Sequence, residues 1–201
     1  AAPPVTPSGA LGAADTRRQP GQRQADSEAR RRGTLIHSLV EHLPRIDPAQ
    51  REAAATAFVR ARAPGFDRAK QDGIVAATLH LFAEPDLAPL FAPEARAEVT
   101  LSGRVVVGGV SRPVFGRVDR RAIAPDTVWV ADFKTGRPPR DGAPLPRAEA
   151  GQIALYAALL AEIYPRHRVV PMLVWTSGPV IRRLDADAVA AALDALAQRA
   201  A

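Results

Sequence analysis

The chain has no cysteine, one methionine, two tryptophans and two tyrosines, and only two of its 27 basic residues, Lys70 and Lys134, are lysines. Without cysteine there are no disulfides, thiolate zinc sites or cysteine-ligated iron–sulfur clusters, so any metal must be held by oxygen and imidazole. No apolar run reaches the roughly eighteen residues of a membrane span, and the N-terminus lacks the apolar core of a signal peptide. The expectation is a soluble, cytoplasmic protein with no membrane partner. There is no glycine-rich loop ending in Lys-Ser/Thr to cradle a nucleotide's phosphates, and no Gly-x-Ser-x-Gly elbow for a serine hydrolase. The opening "AAPPVT" has no methionine, and the reading is a piece of something longer.

At 201 residues and 47% apolar, the chain can bury one substantial core. Residues 1–25 are Pro-, Gly- and Ala-rich without periodicity and read as a linker or disordered arm, leaving 26–201 as the domain. The net charge of +6 permits a polyanionic partner without requiring one. Arg17, Arg18, Arg23, Arg30, Arg31 and Arg32 crowd the first 32 residues against only Asp15, Asp26 and Glu28.

In "DSEARRRGTLIHSLVEHLP", Leu35, Ile36, Leu39, Val40 and Leu43 recur at helical spacing, and Pro44 closes the helix. His37 lies off the centre of that stripe and shares its edge with Gly33. Asp47 caps a second helix that runs to Pro64-Gly65, and a third spans about Asp67 to Phe82. The period then changes. "ARAEVTL", "RVVVGG", "PVFGRVDRRAI" and "TVWVADFK" are short β-rich runs that predict an antiparallel meander of three or four strands. A helix over "RAEAGQIALYAALLAEIY", a strand "RVVPMLVW", an edge strand "VIRRL" and a closing helix capped by Asp185 complete the pattern. The fold class is α/β, a central mixed sheet flanked by helices, with a helical N-terminal part.

Along a strand, Asp132 and Lys134 point to one face, and Trp129, Ala131 and Phe133 to the other. Asp119 and Glu98 stand in the two preceding sheet segments. Carboxylates are disfavoured inside strands, and clustered ones repel unless a cation neutralises them; hard oxygen ligands suit Mg²⁺ or Mn²⁺. Taken singly, each residue also has an ordinary reading. Asp132 and Lys134 make a solvated ion pair, His37 is a boundary histidine, Asp119 pairs with Arg120 or Arg121, Glu98 with Arg96, and Tyr156 is core. Arg137, Arg140 and Arg147, in and after the loop "TGRPPRDGAPLPR", are candidates for phosphate contacts or plain loop charges.

The order Gly33-x3-His37, Glu98, Asp119, Asp132-x-Lys134 and Gln152-x3-Tyr156 resembles the PD-(D/E)xK nuclease superfamily, and within it the RecB-like exonuclease branch. The arginine-rich lead into "RGTLIH" and the missing cysteines look most like the C-terminal nuclease domain of AddA, the helicase–nuclease subunit of the AddAB recombination-repair complex. That resemblance implies a restriction-endonuclease-like fold and a Mg²⁺-dependent DNA exonuclease, with Mn²⁺ as substitute and no iron–sulfur cluster. His37, Asp119, Asp132 and the carbonyl of Phe133 would be metal ligands, Lys134 would act on the attacking water, and Glu98 would bind through water or tune the site. Gln152 and Tyr156 would face the scissile backbone or the lysine. The implied partners are single-stranded DNA from an unwound end, an AddB-type subunit and an upstream helicase domain of the same polypeptide, in resection of double-strand breaks at the bacterial nucleoid. A free-standing RecB-like exonuclease and a non-catalytic DNA-binding or subunit-docking module are the alternatives.

Overall fold

The computed structural model describes residues 20–177 and 180–199. Helix α1 (Pro20–His42) begins within the segment read as an arm, so residues 20–25 are helical; 1–19 lie outside the described residues. Helices α2 (Arg51–Arg62), α3 (Arg68–Ala83) and the short α4 (Ala88–Phe91) follow. Asp67 caps α3 by accepting from the Lys70 amide at 2.8 Å, satisfying one of the donors a helix start leaves free. Sequence periodicity missed α4, which is a single turn.

Strands β1 (Arg96–Val107), β2 (Val110–Ile123) and β3 (Thr127–Lys134) form the antiparallel meander. Helix α5 (Arg147–Ile163) crosses over to β4 (Arg168–Trp175), which pairs parallel to β3, and β5 (Val180–Arg183) closes the sheet antiparallel before α6 (Ala186–Arg199). The sheet is mixed and carries the antiparallel meander, as the sequence predicts, and its five strands lie in chain order. "ARAEVTL" and "RVVVGG" are one strand, not two. The glycine between them, Gly103, makes no turn: a Cβ there would come within 2.4 Å of Leu159 in α5, so the strand needs its bare backbone to let the helix close. The hairpin turns instead at Gly108 and Gly109, whose φ of 58° and 74° suit a two-residue connection.

Two cores flank the sheet. Leu35, Ile36, Leu39 and Val40 of α1 join residues of α2 to α4 against Ala122, Ala131, Phe133, Met172 and Val174. On the other face Ile153, Tyr156, Leu159 and Leu160 of α5 cover Val114, Val118, Val128, Val130 and Leu173. Arg120 ties the first layer to β2. It is 2% exposed and donates Nε to Leu90 O (2.6 Å) and Nη1 to Val40 O (2.7 Å). Burial and, next, Arg45 pull its guanidinium down to about 10, with Glu41 opposing. Among the described residues, no single helix is long and apolar enough to cross a membrane.

Candidate active site

The site forms where the ladder between β2 and β3 gives out. These strands pair at Arg120↔Ala131 through Ile123↔Val128, and the next opposition, Asp119 with Asp132, is unpaired. The register of β1 with β2 likewise holds at Ala97↔Arg120 and Val99↔Val118 but skips Glu98, which would face Asp119. Glu98 is the one non-glycine residue with positive φ among those described, at 51°. Side-chain alternation slips at the same level. Val114 and Val118 belong to the α5 core, whereas Arg120 and Ala122 lie with α1 and α4. The break in the β1–β2 register and the fork between β2 and β3 thus bring Glu98 and Asp119 together, with Asp132 opposite Asp119 across the fork.

His37 reaches it from α1. Gly33, one turn earlier, lies so close to Thr135 at the end of β3 that a Cβ would meet its Cγ2 at 2.5 Å and its Cβ at 2.8 Å. The Gly-x3-His spacing therefore has a physical role: the glycine lets the helix approach, and the histidine one turn on uses the approach. His37 Nε2 donates to Phe133 O at 2.9 Å, which leaves Nδ1 as the lone-pair nitrogen of the neutral ring, 3.8 Å from Asp119 Oδ1. Asp119 Oδ2 accepts from the Phe133 amide at 2.6 Å, taking a donor at the fork.

His37, Glu98 and Asp119 each place a ligand atom within 4.8 Å of the others. Burial, and then the Asp132 charge, push the Asp119 carboxyl up to about 7, against the lowering effect of His37 and the Phe133 amide. The neutralising arginines that sequence neighbours suggest are not there. Arg120 is spent on the carbonyls of Leu90 and Val40, Arg121 donates to Tyr164 OH at 3.4 Å, and Glu98 pairs with Arg117 at 2.6 Å, not with Arg96. A carboxyl forced towards neutrality by burial and by a second carboxylate would welcome a cation, and the donors are hard oxygens and imidazole.

Asp132 and Lys134 are not a solvated pair. Asp132 is 4% exposed, and its Oδ2 lies 2.6 Å from Lys134 Nζ but out of line for a hydrogen bond. Lys134 Nζ donates to Gln152 Oε1 at 2.8 Å. Tyr156, four residues along α5, is fully buried and donates to Arg117 O at 3.0 Å, so it fixes β2 from behind and does not line the cleft. Of the expected site residues, His37, Glu98 and Asp119 come together on one side; Asp132, Lys134 and Gln152 form a buried chain on the other. The Phe133 carbonyl lies between α1 and β3, engaged by His37.

An open cleft of about 660 Å³ gives access, lined by Arg30, Gly33, His37, Glu98, Arg117, Asp119 and their neighbours. Arg137, Arg140 and Arg147 are exposed and do not line it. Arg30 and Arg117 do, and sequence reasoning passed over both; Arg117, two residues before Asp119 on an exposed stretch of β2, carried no signal except its register opposite Thr100.

A family model described as the PD-(D/E)XK nuclease superfamily matches residues 11–201. The chain belongs to that superfamily. Its strand-borne Asp119 and the Asp132-x-Lys134 pair lie at the fork in the sheet, and the restriction-endonuclease-like α/β architecture agrees with the membership. PD-(D/E)XK nucleases use divalent metals, and the donor set here suits one. Among solved structures the chain is similar to the crystal structure of SSO0001, at 22% identity over 82% of this chain and 73% of that one, with a TM-score of 0.35. No curated protein matches it significantly.

Proposed function

We propose that the chain is a divalent-metal-dependent DNA nuclease that hydrolyses phosphodiester bonds. The observation that carries the reading is the convergence of Glu98, Asp119 and His37 beside the buried Asp132–Lys134–Gln152 chain. His37, Asp119, Asp132 and the Phe133 carbonyl would hold a divalent cation, with Glu98 close by, and that cation would supply Lewis acidity to a phosphoryl oxygen and lower the pKa of a bound water. Lys134, braced by Asp132 and Gln152, orients the attacking water and faces the negative charge that builds on the phosphate. Asp119 must be ionised to serve, and its raised pKa means that site and cation assemble together. Arg30 and Arg117 at the cleft wall meet the phosphate backbone, which gives affinity without sequence preference.

The finer placement is a Mg²⁺-dependent exonuclease of the RecB-like branch. The Gly33–Thr135 approach that delivers His37, and the Gln152 contact to Lys134, support it. The missing cysteines and the arginines before Gly33 favour an AddA-type setting, in which a helicase domain and an AddB-type subunit deliver single-stranded DNA during double-strand break resection. The test is cleavage of end-labelled single- and double-stranded DNA in Mg²⁺ and Mn²⁺, with EDTA and Asp132→Asn as controls and calorimetric titration of Mn²⁺ into both proteins. Cleavage that the substitution lowers by at least about a hundredfold is expected. A wild type that neither cuts nor binds metal more tightly than the variant would sink the reading.

A further inference from the structure

We infer that a second cleft, between the C-terminal end of α1 and the start of β1, is a phosphate subsite that holds the substrate strand beside the cut. The inference rests on the nuclease reading above. The cleft has a volume of about 450 Å³, and its charged lining is Arg45, Arg96, Arg120 and Glu41. Three guanidiniums share one concavity with one carboxylate.

Each arginine is placed differently. Arg120 is held immobile by the carbonyls of Leu90 and Val40, and Arg96 donates Nη1 to the carbonyls of Pro93 and Ala95. Arg45 is exposed and acts on Arg120 as a like charge. Cations held together, one of them desolvated, repel until an anion joins them, and phosphate oxygens suit the planar donor fork of arginine. The remaining lining is alanine and proline, which offer no side-chain donor or acceptor of their own, so the arginines and Glu41 set what the cleft binds.

Position connects this cleft to the reaction. Glu41 lines both it and the cleft that holds His37, Glu98 and Asp119. Glu41 is one helical turn beyond His37, and Arg45 four residues further. At about 1.5 Å of rise per residue, these positions lie on the order of 6–12 Å from His37 along the helix direction, about two to four phosphates of a strand at about 3.4 Å each. The strand would pass Arg30 and Arg117, cross the ligand cluster and rest its next phosphates among Arg45, Arg96 and Arg120.

The experiment uses the whole chain and the double variant Arg45→Ala/Arg96→Ala, leaving the structural Arg120 intact. Binding of a dye-labelled 12-nucleotide single strand is followed by anisotropy in EDTA across a salt series, and cleavage in Mn²⁺ is measured in parallel. Oligonucleotides carrying one neutral methylphosphonate at successive positions complete the set. The double variant is expected to bind roughly three- to tenfold more weakly, with a salt slope shallower by about 0.7 for one lost phosphate. One methylphosphonate position should weaken the wild type by the same factor and leave the double variant unaffected.

Equal affinity, slope and methylphosphonate profile in a double variant that cuts like the wild type overturns the subsite and leaves the nuclease standing. Losses in the double variant that add to every methylphosphonate position also overturn it, since they mean diffuse charge and not a site. A wild type that shows the position-specific coupling but never cuts counts against the nuclease and for the subsite. Absence of both binding and cleavage removes both.

Discussion

Glu98 condenses the chemistry into one residue. Its φ of 51° costs a side chain roughly 1–2 kcal/mol, because Cβ crowds the following carbonyl oxygen. Glycine escapes that cost, and a glutamate there does not. The carboxylate that the strained backbone presents is shared between Arg117 and the cluster with His37 and Asp119. Glu98→Gly therefore has opposite effects on stability and on function. Strain and carboxylate repulsion are both relieved, while the exposed ion pair with Arg117 is worth little. The variant should gain about 1 kcal/mol in urea denaturation and bind Mn²⁺ less tightly by calorimetry. A variant that is less stable than the wild type would show that the conformation is not strained in the way the backbone angle says.

At the scale of elements, the site depends on helix α1 lying against the end of β3. Gly33→Ala tests that contact. Alanine is the better helix former by about 1 kcal/mol, yet its Cβ would sit 2.5 Å from Thr135 Cγ2, and such overpacking costs about 1–3 kcal/mol. The expected outcome is a lower melting temperature and weaker Mn²⁺ binding, since the shift carries His37 away from Asp119. Thr135→Gly in the same chain should restore both. If Gly33→Ala alone raises the melting temperature with metal binding intact, the close approach has no role in placing the histidine. The same physics explains what could be read from sequence here and what could not. The spacing of Gly33 and His37 marked a helix edge, and their partner Thr135, 102 residues from Gly33, is visible only once the chain is folded. Gly103 misled for the converse reason. A glycine between apolar runs reads as a turn, and only the packed Leu159 shows it to be a flat strand position.

For the whole molecule, the half-buried Asp119, crowded by Asp132, makes stability depend on pH. Burial and the Asp132 charge push the Asp119 carboxyl up to about 7 in the folded chain, well above the ordinary carboxylate range, so the native state holds a proton that the unfolded chain has already lost. Stability from that proton is fully present below about pH 4 and is lost as pH rises through about 7. In EDTA, the difference in stability between wild type and Asp119→Asn should therefore move against the wild type from pH 5 to pH 8 and level off above. Saturating Mn²⁺ reverses the trend, because the ligand form of Asp119 is the ionised one; a hundredfold excess over the dissociation constant adds about 2.7 kcal/mol. Thermal denaturation of both proteins across that range checks the sign. A difference that stays flat in EDTA would mean that Asp119 titrates at an ordinary value and is not crowded by Asp132 and Glu98.

The sequence by itself determined the succession of helices, meander, helix, strand and helix, because apolar periodicity and capping residues such as Asp67 and Asp185 act over a few neighbours. It also determined the residue types at the site, since strand carboxylates and one of only two lysines stand out against an arginine-rich background. Only the tertiary structure decided how those residues are shared out. Glu98 joins His37 and Asp119 through a kink that strand alternation does not anticipate, while Asp132 pairs with Lys134, which in turn donates to Gln152. Tyr156 withdraws into the core, and the arginines at the cleft are Arg30 and Arg117 in place of those in the loop after β3. Local sequence sets which chemistry a segment offers. Where two strands part, and which donors that leaves unpaired, is settled by packing between residues far apart in the chain.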